Sequence, residues 1–403
     1  MGSQYSYTTE WDKRPKSIMQ FDRKITKQSV REVFDQLLND QIPSLEDFQW
    51  VITQAAQYFK TLPNHVQLQT KRNDRFIMVG DMHGCFETVI RLFVGDQATQ
   101  IEPLGFPGDI VDGRRNIYIF NGDLVDRGGS GYQIVFMLCL LCLTSPEYTK
   151  INRGNHESDM FGASLAPGMG HKYMFEIKEK FPGVDLSQVR NSISELFCSL
   201  PICHTIDQQV LVVHGGVPMS SEVQTINPLN GQVQFSSKAQ PYSLKTLDNL
   251  YPSRFQTPLL EDTPKTKNQL WHSFLWSYDR QPYAGEFMAH NGIKSIICSH
   301  TATPYHFVTT LLPLEGGAEP YAIQSVTRGE DTFQKVQEFF MERPNLARAK
   351  LSMVEVFSSP TNQGQMFASV LNETAGTIDP DPLHWEYKYL GSHTDFRFIQ
   401  PEQ

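Results

Sequence analysis

The sequence predicts an α/β fold in which polar motifs lie at the carboxyl ends of parallel strands. Three apolar segments with β-type composition each run directly into a motif rich in Gly, Asp, His and Asn. The pairs are residues 75–79 with Gly80-Asp81-Met82-His83-Gly84, residues 116–120 with Gly122-Asp123-Leu124-Val125-Asp126-Arg127-Gly128, and residues 148–152 with Gly154-Asn155-His156-Glu157. Helical patterns between these strands give consecutive β-α-β units, and ligands of such sheets bind outside the carboxyl ends of the strands. The three motifs are therefore expected to meet.

The other elements follow from apolar spacing along the chain. Residues 30–62 have helical spacing interrupted near Pro43, so they predict a helical hairpin with Ser44 as the N-cap of its second helix. Residues 217–268, rich in Pro, Ser, Asn and Gln, are expected to be irregular. The remaining predicted elements are helices over 85–93, 131–143, 171–181 and 192–200, and strands over 202–206, 209–213, 295–298, 307–312, 353–357 and 365–370. The late strands predict a second sheet packed on the first.

These elements suggest four segments. The expected division is a disordered N-terminal segment (1–29), a helical hairpin packed on the catalytic domain (30–70), the catalytic domain (71–375) and a C-terminal tail (376–403).

Composition limits the classes of function. A formal net charge of −9 argues against nucleic-acid binding, which usually leaves a basic footprint. The longest apolar run, residues 134–143, is half of the roughly 20 residues that span a bilayer, and it is interpreted as a core helix. The N-terminus is polar, with no secretory signal pattern. Six scattered cysteines, mostly in apolar stretches, are typical of buried thiols in a reducing compartment. We expect a cytoplasmic protein.

The N-terminus also fits a lipidation pattern. Met1-Gly2-Ser3-Gln4-Tyr5-Ser6 matches the pattern for myristoylation of Gly2, and several basic residues follow between Lys13 and Lys27. One acyl chain supports only weak membrane binding, so a basic patch would act as the second signal. Peripheral membrane association through Gly2 is an alternative to a purely cytoplasmic location, and a chance match of the short motif is the stronger explanation.

The polar residues after the strands form a metal-ligand set. Two later strands, over 210–213 and 296–298, each end in a histidine, as the earlier strands end in carboxylates. Carboxylate, imidazole and amide ligands suit divalent cations, and one carboxylate can bridge two of them. The predicted ligands are Asp81, His83 and Asp123 for one cation, and Asp123, Asn155, His214 and His300 for the other.

This ligand set indicates a two-metal phosphoesterase. Two cations lower the pKa of a bridging water, giving a hydroxide near neutral pH that attacks phosphorus directly. The Arg127 guanidinium is suited to gripping phosphoryl oxygens, and His156, oriented by Asp126, is suited to protonating the leaving group.

The same motifs resemble the serine/threonine phosphoprotein phosphatase family, within the calcineurin-like metallophosphoesterase superfamily. The resemblance runs from about residue 30 to residue 373 and includes Arg153-Gly-Asn-His-Glu157, His214-Gly-Gly, Ser199-Leu-Pro201 and Leu275-Trp276-Ser277. It implies a central β-sandwich of mixed sheets flanked by helices, with the dinuclear site at the strand ends. It also implies phosphoserine and phosphothreonine protein substrates, regulatory protein partners, and manganese, iron or zinc as the cations.

Three segments depart from the pattern of that family. Its second phosphate-binding arginine has one nearby candidate, Arg280, in a shortened loop over 278–282, so phosphate binding is assigned to Arg127, Asn155 and Arg280. The family's Tyr-Cys pair is replaced by Asn362 and Gln363, which predicts weak inhibition by microcystin. Extra segments at 162–170 and about 313–346 are expected to be surface insertions or partner-binding elements.

Two other functions fit parts of the pattern. A dinucleoside polyphosphate hydrolase shares Gly-Asp-x-His-Gly followed by Cys, as at Cys85, although such enzymes usually have Asp where this chain has Glu157. A scaffold with weak activity would require a lost ligand, and none is missing from the sequence.

Overall fold

Two stacked β-sheets with helices on both outer faces form the body of the fold. The computed structural model describes residues 8–9, 17–158, 162–165, 172–217, 224–226, 233–235, 243–249, 255, 274–276, 280–300, 308–312, 321–324, 351–356, 358–359, 365–374, 377–378, 386–392 and 398–399. The α/β class and the mixed sheets predicted from the sequence are confirmed.

The helices are α1 (Lys27–Leu38), α2 (Leu45–Lys60), α3 (Phe86–Val94), α4 (Gly131–Thr144), α5 (Tyr173–Lys180), α6 (Leu186–Ser199) and α7 (Arg280–Asn291), with a 3-10 helix at Leu244–Asn249. The strands are β1 (Thr8–Thr9), β2 (Ser17–Ile18), β3 (Gln41–Ile42), β4 (His65–Leu68), β5 (Asp74–Val79), β6 (Ile110–Val111), β7 (Arg114–Phe120), β8 (Thr149–Ile151), β9 (Cys203–Ile206), β10 (Val210–Val213), β11 (Gln224–Ile226), β12 (Val233–Phe235), β13 (Ser295–Cys298), β14 (Val308–Leu312), β15 (Tyr321–Gln324), β16 (Leu351–Glu355), β17 (Gln365–Thr374), β18 (Thr377–Ile378), β19 (Glu386–Ser392) and β20 (Phe398–Ile399).

The two large sheets each contain a parallel core. Sheet A has the order β18-β17-β5-β7-β6, with β19 beside β17 and β8 beside β7, and β5, β7 and β8 run parallel. Sheet B has the order β15-β14-β16-β13-β10-β9-β4, and β10, β13 and β16 run parallel. The parallel strands that precede the polar motifs are therefore neighbours within each sheet.

Alternation along the strands builds the layers. Phe76 and Met78 of β5 pack between the sheets against Val210 and Val212 of β10. The residues between them in sequence face the other way: those of β5 pack under the helices on sheet A, and those of β10 pack with α7 on sheet B. This period of two is what an apolar strand covered on both faces requires. Helix α4, which contains the apolar run at 134–143, is buried in the core, as predicted.

The helical hairpin is present, but ordered chain precedes it. Ser44 caps α2 through a bond from Asp47 N, as predicted. However, α1 begins at Lys27, capped by Thr26, and Met19 is buried in the core. Residues 17–29 are thus structured, which the prediction of disorder over 1–29 did not anticipate. This segment is polar in composition, but it contains the buried Met19 and the N-cap residue Thr26.

The C-terminal segment also differs from the predicted tail. Strand β19 pairs antiparallel with β17, and its Leu390 is 1% exposed. The predicted boundary at residue 375 therefore separates two strands of sheet A. Likewise, β15 falls within the predicted insertion at 313–346 and pairs with β14 in sheet B. The predicted irregular segment 217–268 contains β11, β12 and the 3-10 helix.

All six cysteines are buried and free of disulfides, as expected for reduced thiols. In the parts of the chain that the structure describes, no helix combines the length and apolarity needed to cross a bilayer.

Candidate metal centre

The polar motifs meet at one edge of the two sheets. Asp81 and His83 follow β5, Asp123 follows β7, and Asn155 follows β8, all in sheet A. His214 follows β10 and His300 follows β13, which are adjacent in sheet B. The structure thus brings together all six residues predicted as metal ligands. His300 of sheet B contacts Asp81 and Asn155 of sheet A.

Asp123 lies at the centre of this cluster. Its Oδ1 is 3.3 Å from His214 Nε2, and its Oδ2 is 3.6 Å from His83 Nε2. Asp81 Oδ2 lies 3.5 Å from the same His83 nitrogen, and Asp81 Oδ1 accepts a hydrogen bond from His300 N. Ligand atoms of Asp123, His214 and His300 lie within 4.8 Å of one another, and so do those of His83, Asp123 and His156. The one carboxylate shared by both groups is the residue predicted to bridge.

Asn155 links the two histidines of the second group. Its Oδ1 lies 3.0 Å from His214 Nε2 and 2.8 Å from His300 Nδ1. An amide oxygen surrounded by imidazole nitrogens is a neutral ligand in a position to share a cation with them. The structure places Asn155 beside both histidines of the group to which the sequence assigned it, and its role as a ligand stays a prediction.

The loops of the site adopt strained backbone conformations. His83, Asp123, Asp126, Arg127 and His300 all have φ between 45° and 71°. Such values cost of order 1–3 kcal/mol for residues other than glycine and cluster at functional sites. Backbone hydrogen bonds from the amides of the motif after β5 to Asp123 O hold two of these loops together.

A close approach of two glycines permits that contact. A Cβ on Gly84 would lie 2.8 Å from Gly128 C, so the first two motifs cross with no room for a side chain. Gly154 is equally constrained, since a Cβ there would lie 2.3 Å from Asp123 Oδ1.

His156 and Asp126 form the predicted dyad. His156 Nδ1 lies 2.7 Å from Asp126 Oδ2, and His156 Nε2 points to the cluster, 3.9 Å from Asp123 Oδ2. Burial alone would lower the pKa of His156, but the carboxylates of Asp123 and Asp126 outweigh it and raise that pKa. The shift extends the imidazolium form to higher pH, the direction that suits a general acid.

Charge coupling extends across the cluster. Burial opposes the positive charge of His214, but Asp123 and Asp81 raise its pKa to about 9. Burial and the nearby Arg127 lower the pKa of His83. Arg127 itself is half-buried. The charges of Asp81 and Asp123 therefore outweigh burial at His214 but not at His83.

The donor set fits divalent cations. Asp81 Oδ2 is buried and accepts no hydrogen bond from any described residue, an arrangement that costs free energy unless a cation or donor fills it. Buried carboxylates with inward-facing imidazole nitrogens and an amide oxygen match the ligand preferences of such ions.

Several supporting residues were missed by sequence reasoning. Glu157, fully buried, accepts hydrogen bonds from Asp123 N, Leu124 N and Gly154 N. Burial and the charge of Asp123 raise its pKa to about 7. Its place in the third motif indicates that Glu157 lies near the site. The sequence does not indicate that Glu157 holds the backbone of Asp123.

A buried hydrogen-bond chain forms a second support. His204 Nδ1 lies 2.7 Å from Asn152 Oδ1, and Asn152 Nδ2 donates to Asn121 Oδ1. Asn121 Nδ2 donates to Ser299 Oγ, and Asn121 O lies 2.7 Å from His214 Nδ1. This chain joins the two sheets and leaves His214 Nε2 to face the cluster. Nothing in the strand patterns indicates it.

The predicted phosphate ligand Arg280 has a different context from the one expected. It is the first residue of α7, whereas the sequence indicated a shortened loop over 278–282. Its side chain lies outside the described residues, as do Asn362 and Gln363 and most of the segment 162–170.

Comparison with known proteins decides the family. The sequence profile of the calcineurin-like phosphoesterases matches residues 74–304, more than half of the chain. The chain belongs to this family. Its fold is similar to a solved protein serine/threonine phosphatase from Saccharomyces cerevisiae, with a TM-score of 0.60 and 20% identity, covering 93% of this chain and 99% of that one.

Curated relatives of this phosphoesterase include named protein phosphatases. Serine/threonine-protein phosphatase with EF-hands 1 from Rattus norvegicus is 31% identical over 48% of this chain and 27% of its own length. Serine/threonine-protein phosphatase 5 from Solanum lycopersicum is 28% identical over 48% of this chain and 31% of its own length. The matched region spans less than a third of either relative.

Proposed function

We propose that this phosphoesterase is a metal-dependent protein serine/threonine phosphatase. The observation that carries the proposal is the convergence of the six predicted ligands beside the His156–Asp126 dyad. The names of the curated relatives support protein substrates bearing phosphoserine or phosphothreonine.

Two divalent cations are proposed to be held by Asp81, His83, Asp123, Asn155, His214 and His300. When bound, they would activate water at neutral pH and neutralise charge on the phosphoryl group. Manganese, iron and zinc all suit this mixture of carboxylate and imidazole ligands. Manganese is the first to test because hard carboxylate oxygens contribute to both groups of ligands.

The chain's own side chains supply binding and proton transfer. Arg127, half-buried and close enough to His83 to lower its pKa, is proposed to bind two phosphoryl oxygens with its planar guanidinium. His156, whose pKa is raised by Asp123 and Asp126, is proposed to donate the proton of Nε2 to the departing serine or threonine oxygen. Asn155 and Arg280 remain proposed phosphate ligands.

Location and partners are also proposals. Six buried free thiols support a cytoplasmic protein, and acylation of Gly2 would add weak membrane association. Mass spectrometry of the native N-terminus tests the acylation. A regulatory protein partner is proposed by analogy with the multidomain relatives.

The test is hydrolysis of a phosphoserine peptide with and without manganese. Asp123→Asn removes the shared carboxylate charge, and we expect a loss of about a hundredfold or more. Asp112→Asn, an exposed turn residue, is the matched control and should retain full activity. Diadenosine tetraphosphate is assayed in parallel, and a clear preference for it would replace the phosphatase with a dinucleoside polyphosphate hydrolase. An equally active Asp123→Asn variant would contradict the proposed metal centre.

A further inference from the structure

The loop that carries Asp126 and Arg127 cannot hold its conformation by itself. Residues 123–130, called here the Asp126 loop, include three left-handed residues, Asp123, Asp126 and Arg127, with φ of 52°, 66° and 69°. Each of these conformations has a cost that the surroundings must offset. Contacts that fix this loop therefore also fix the position of Asp126, which contacts the proposed proton donor His156, and of Arg127, the proposed phosphate ligand.

Helix α5 contacts this loop at its start. Asp126 uses one oxygen, Oδ2, for His156 and the other, Oδ1, to accept a hydrogen bond from Tyr173 N at 2.8 Å. Tyr173 is the first residue of α5, and the N-cap residue Lys172 makes no side-chain capping bond. The Asp126 carboxylate thus takes the place of the missing cap, and the position of α5 orients it.

Helix α5 also caps helix α4, which begins where the loop ends. Ser130, the N-cap residue of α4, makes no side-chain capping bond. Instead, Glu176 Oε2 accepts from Gly131 N at 3.0 Å, and Glu176 Oε1 accepts from Tyr132 N at 2.9 Å. A carboxylate at a helix N-terminus satisfies exposed amides and complements the helix dipole. Asp126 of the loop therefore caps α5, and Glu176 of α5 caps α4.

Lys180 completes the contact. Its Nζ donates to Gly129 O at 2.6 Å and lies 3.1 Å from Glu176 Oε1. The Lys180 and Glu176 side chains are 9% and 1% exposed, so this pair is nearly dry. A buried ion pair contributes little net stability on average but is strongly directional when each partner has further hydrogen bonds. Here those further bonds all go to the backbone at the end of the Asp126 loop.

We infer that α5 positions the Asp126 loop for phosphate binding, with Glu176 and Lys180 as the positioning residues that act through Asp126 and Arg127. The expected changes in kcat, KM and phosphate inhibition rest on the proposed phosphatase function. The claim that α5 holds the Asp126 loop in place does not depend on activity.

The experiment compares Lys180→Met with Lys178→Met in the full chain. Both lysines lie in α5, but Lys178 is exposed. Backbone amide exchange over residues 127–132 is measured first. Inhibition by inorganic phosphate, and kcat and KM on a phosphoserine peptide, are measured next with manganese. Lys180→Arg tests rescue, and Glu176→Gln is a second variant that keeps one acceptor oxygen and most of the shape.

We expect Lys180→Met and Glu176→Gln to exchange these amides faster, with unchanged exchange in β5. The phosphate inhibition constant and KM should rise together by about tenfold, near the lower end of the effect of one lost charge-assisted hydrogen bond, with a smaller change in kcat. Lys178→Met should match the wild type, and Lys180→Arg should restore most of the affinity.

Equal exchange over 127–132 in Lys180→Met and Lys178→Met would overturn the inference. So would a loss of kcat and thermal stability with no change in KM or in phosphate inhibition. If the wild type does not hydrolyse the peptide, the proposed function fails, while the exchange comparison still decides whether α5 holds the loop.

Discussion

Replacing Asp126 with asparagine should separate proton donation from the rest of catalysis. The Asp126→Asn side chain can still accept from Tyr173 N, so the link to α5 is retained. What it loses is the negative charge 2.7 Å from His156 Nδ1, the contact that helps to raise the pKa of His156. The substitution therefore acts on the imidazole with little effect on the loop.

The size of the effect follows from that contact. A buried hydrogen bond between charged groups is worth about 1.5–3 kcal/mol, which corresponds to roughly one to two pKa units. Because the pKa of His156 is raised in the wild type, the imidazolium persists to higher pH, and the variant should lose it at lower pH. At a pH above both pKa values, the protonated fraction should fall by about tenfold to a hundredfold.

The assay compares two leaving groups. A serine alkoxide needs a proton as it departs, whereas the nitrophenolate of p-nitrophenyl phosphate does not. On the alkaline limb, which should move to lower pH, we expect kcat on a phosphoserine peptide to fall by about tenfold to a hundredfold. The kcat on p-nitrophenyl phosphate should change by less than about threefold. His156→Asn should add little to Asp126→Asn on the peptide, since the two residues act as a unit. Equal losses on both substrates would refute the role of the dyad in proton donation.

Three further predictions concern the support of the site. Gly154→Ala places a Cβ against Asp123 Oδ1, so manganese affinity measured by calorimetry should fall by at least about tenfold, and unchanged affinity would contradict the steric argument. Asn152→Leu leaves His204 Nδ1 and Asn121 Oδ1 without the hydrogen bonds that Asn152 supplies. The free energy of unfolding in denaturant should therefore drop by about 2–4 kcal/mol. A loss below about 0.5 kcal/mol would show that this hydrogen-bond chain is dispensable for stability. The pKa of His214, raised to about 9, keeps it protonated at pH 7 in chelator-treated protein, so manganese binding should release protons. Calorimetry in buffers of different ionisation enthalpy measures that release, which should shrink as the pH rises through 9, and a binding heat independent of buffer would contradict it.

The sequence was sufficient for the parts of the site that depend on strand ends. A period of two followed by Gly and a polar residue identifies where a buried strand stops, and parallel neighbours then force the polar residues together. This is why Asp81, Asp123 and His214 could be placed without a structure. Their grouping around one shared carboxylate followed from residue chemistry alone.

What the sequence did not reveal depends on less periodic features. Helix α7 was missed because Pro282 and Gly285 suggest a loop, yet proline is tolerated in the first turn, where its missing N–H would have no helical partner. Helix α6 begins at Leu186, six residues before the predicted start, because Asp185 caps it through Ser187 N. Buried polar partners such as His204 leave no periodic trace, since their value depends on residues distant in sequence.

The pairing of β17 with β5 has a consequence for synthesis of the chain. Ala368 lies opposite Val79 and Asn372 opposite Arg75, so the strand leading to Asp81 gains its second neighbour only from residues almost 300 positions later. Until the ribosome has delivered that region, β5 presents an open edge of unpaired backbone amides and carbonyls, a template for wrong pairing. Such distant pairing also slows folding. Release of a chain that stops before residue 365 should therefore yield aggregates, and chaperones that shield strand edges should matter most late in translation.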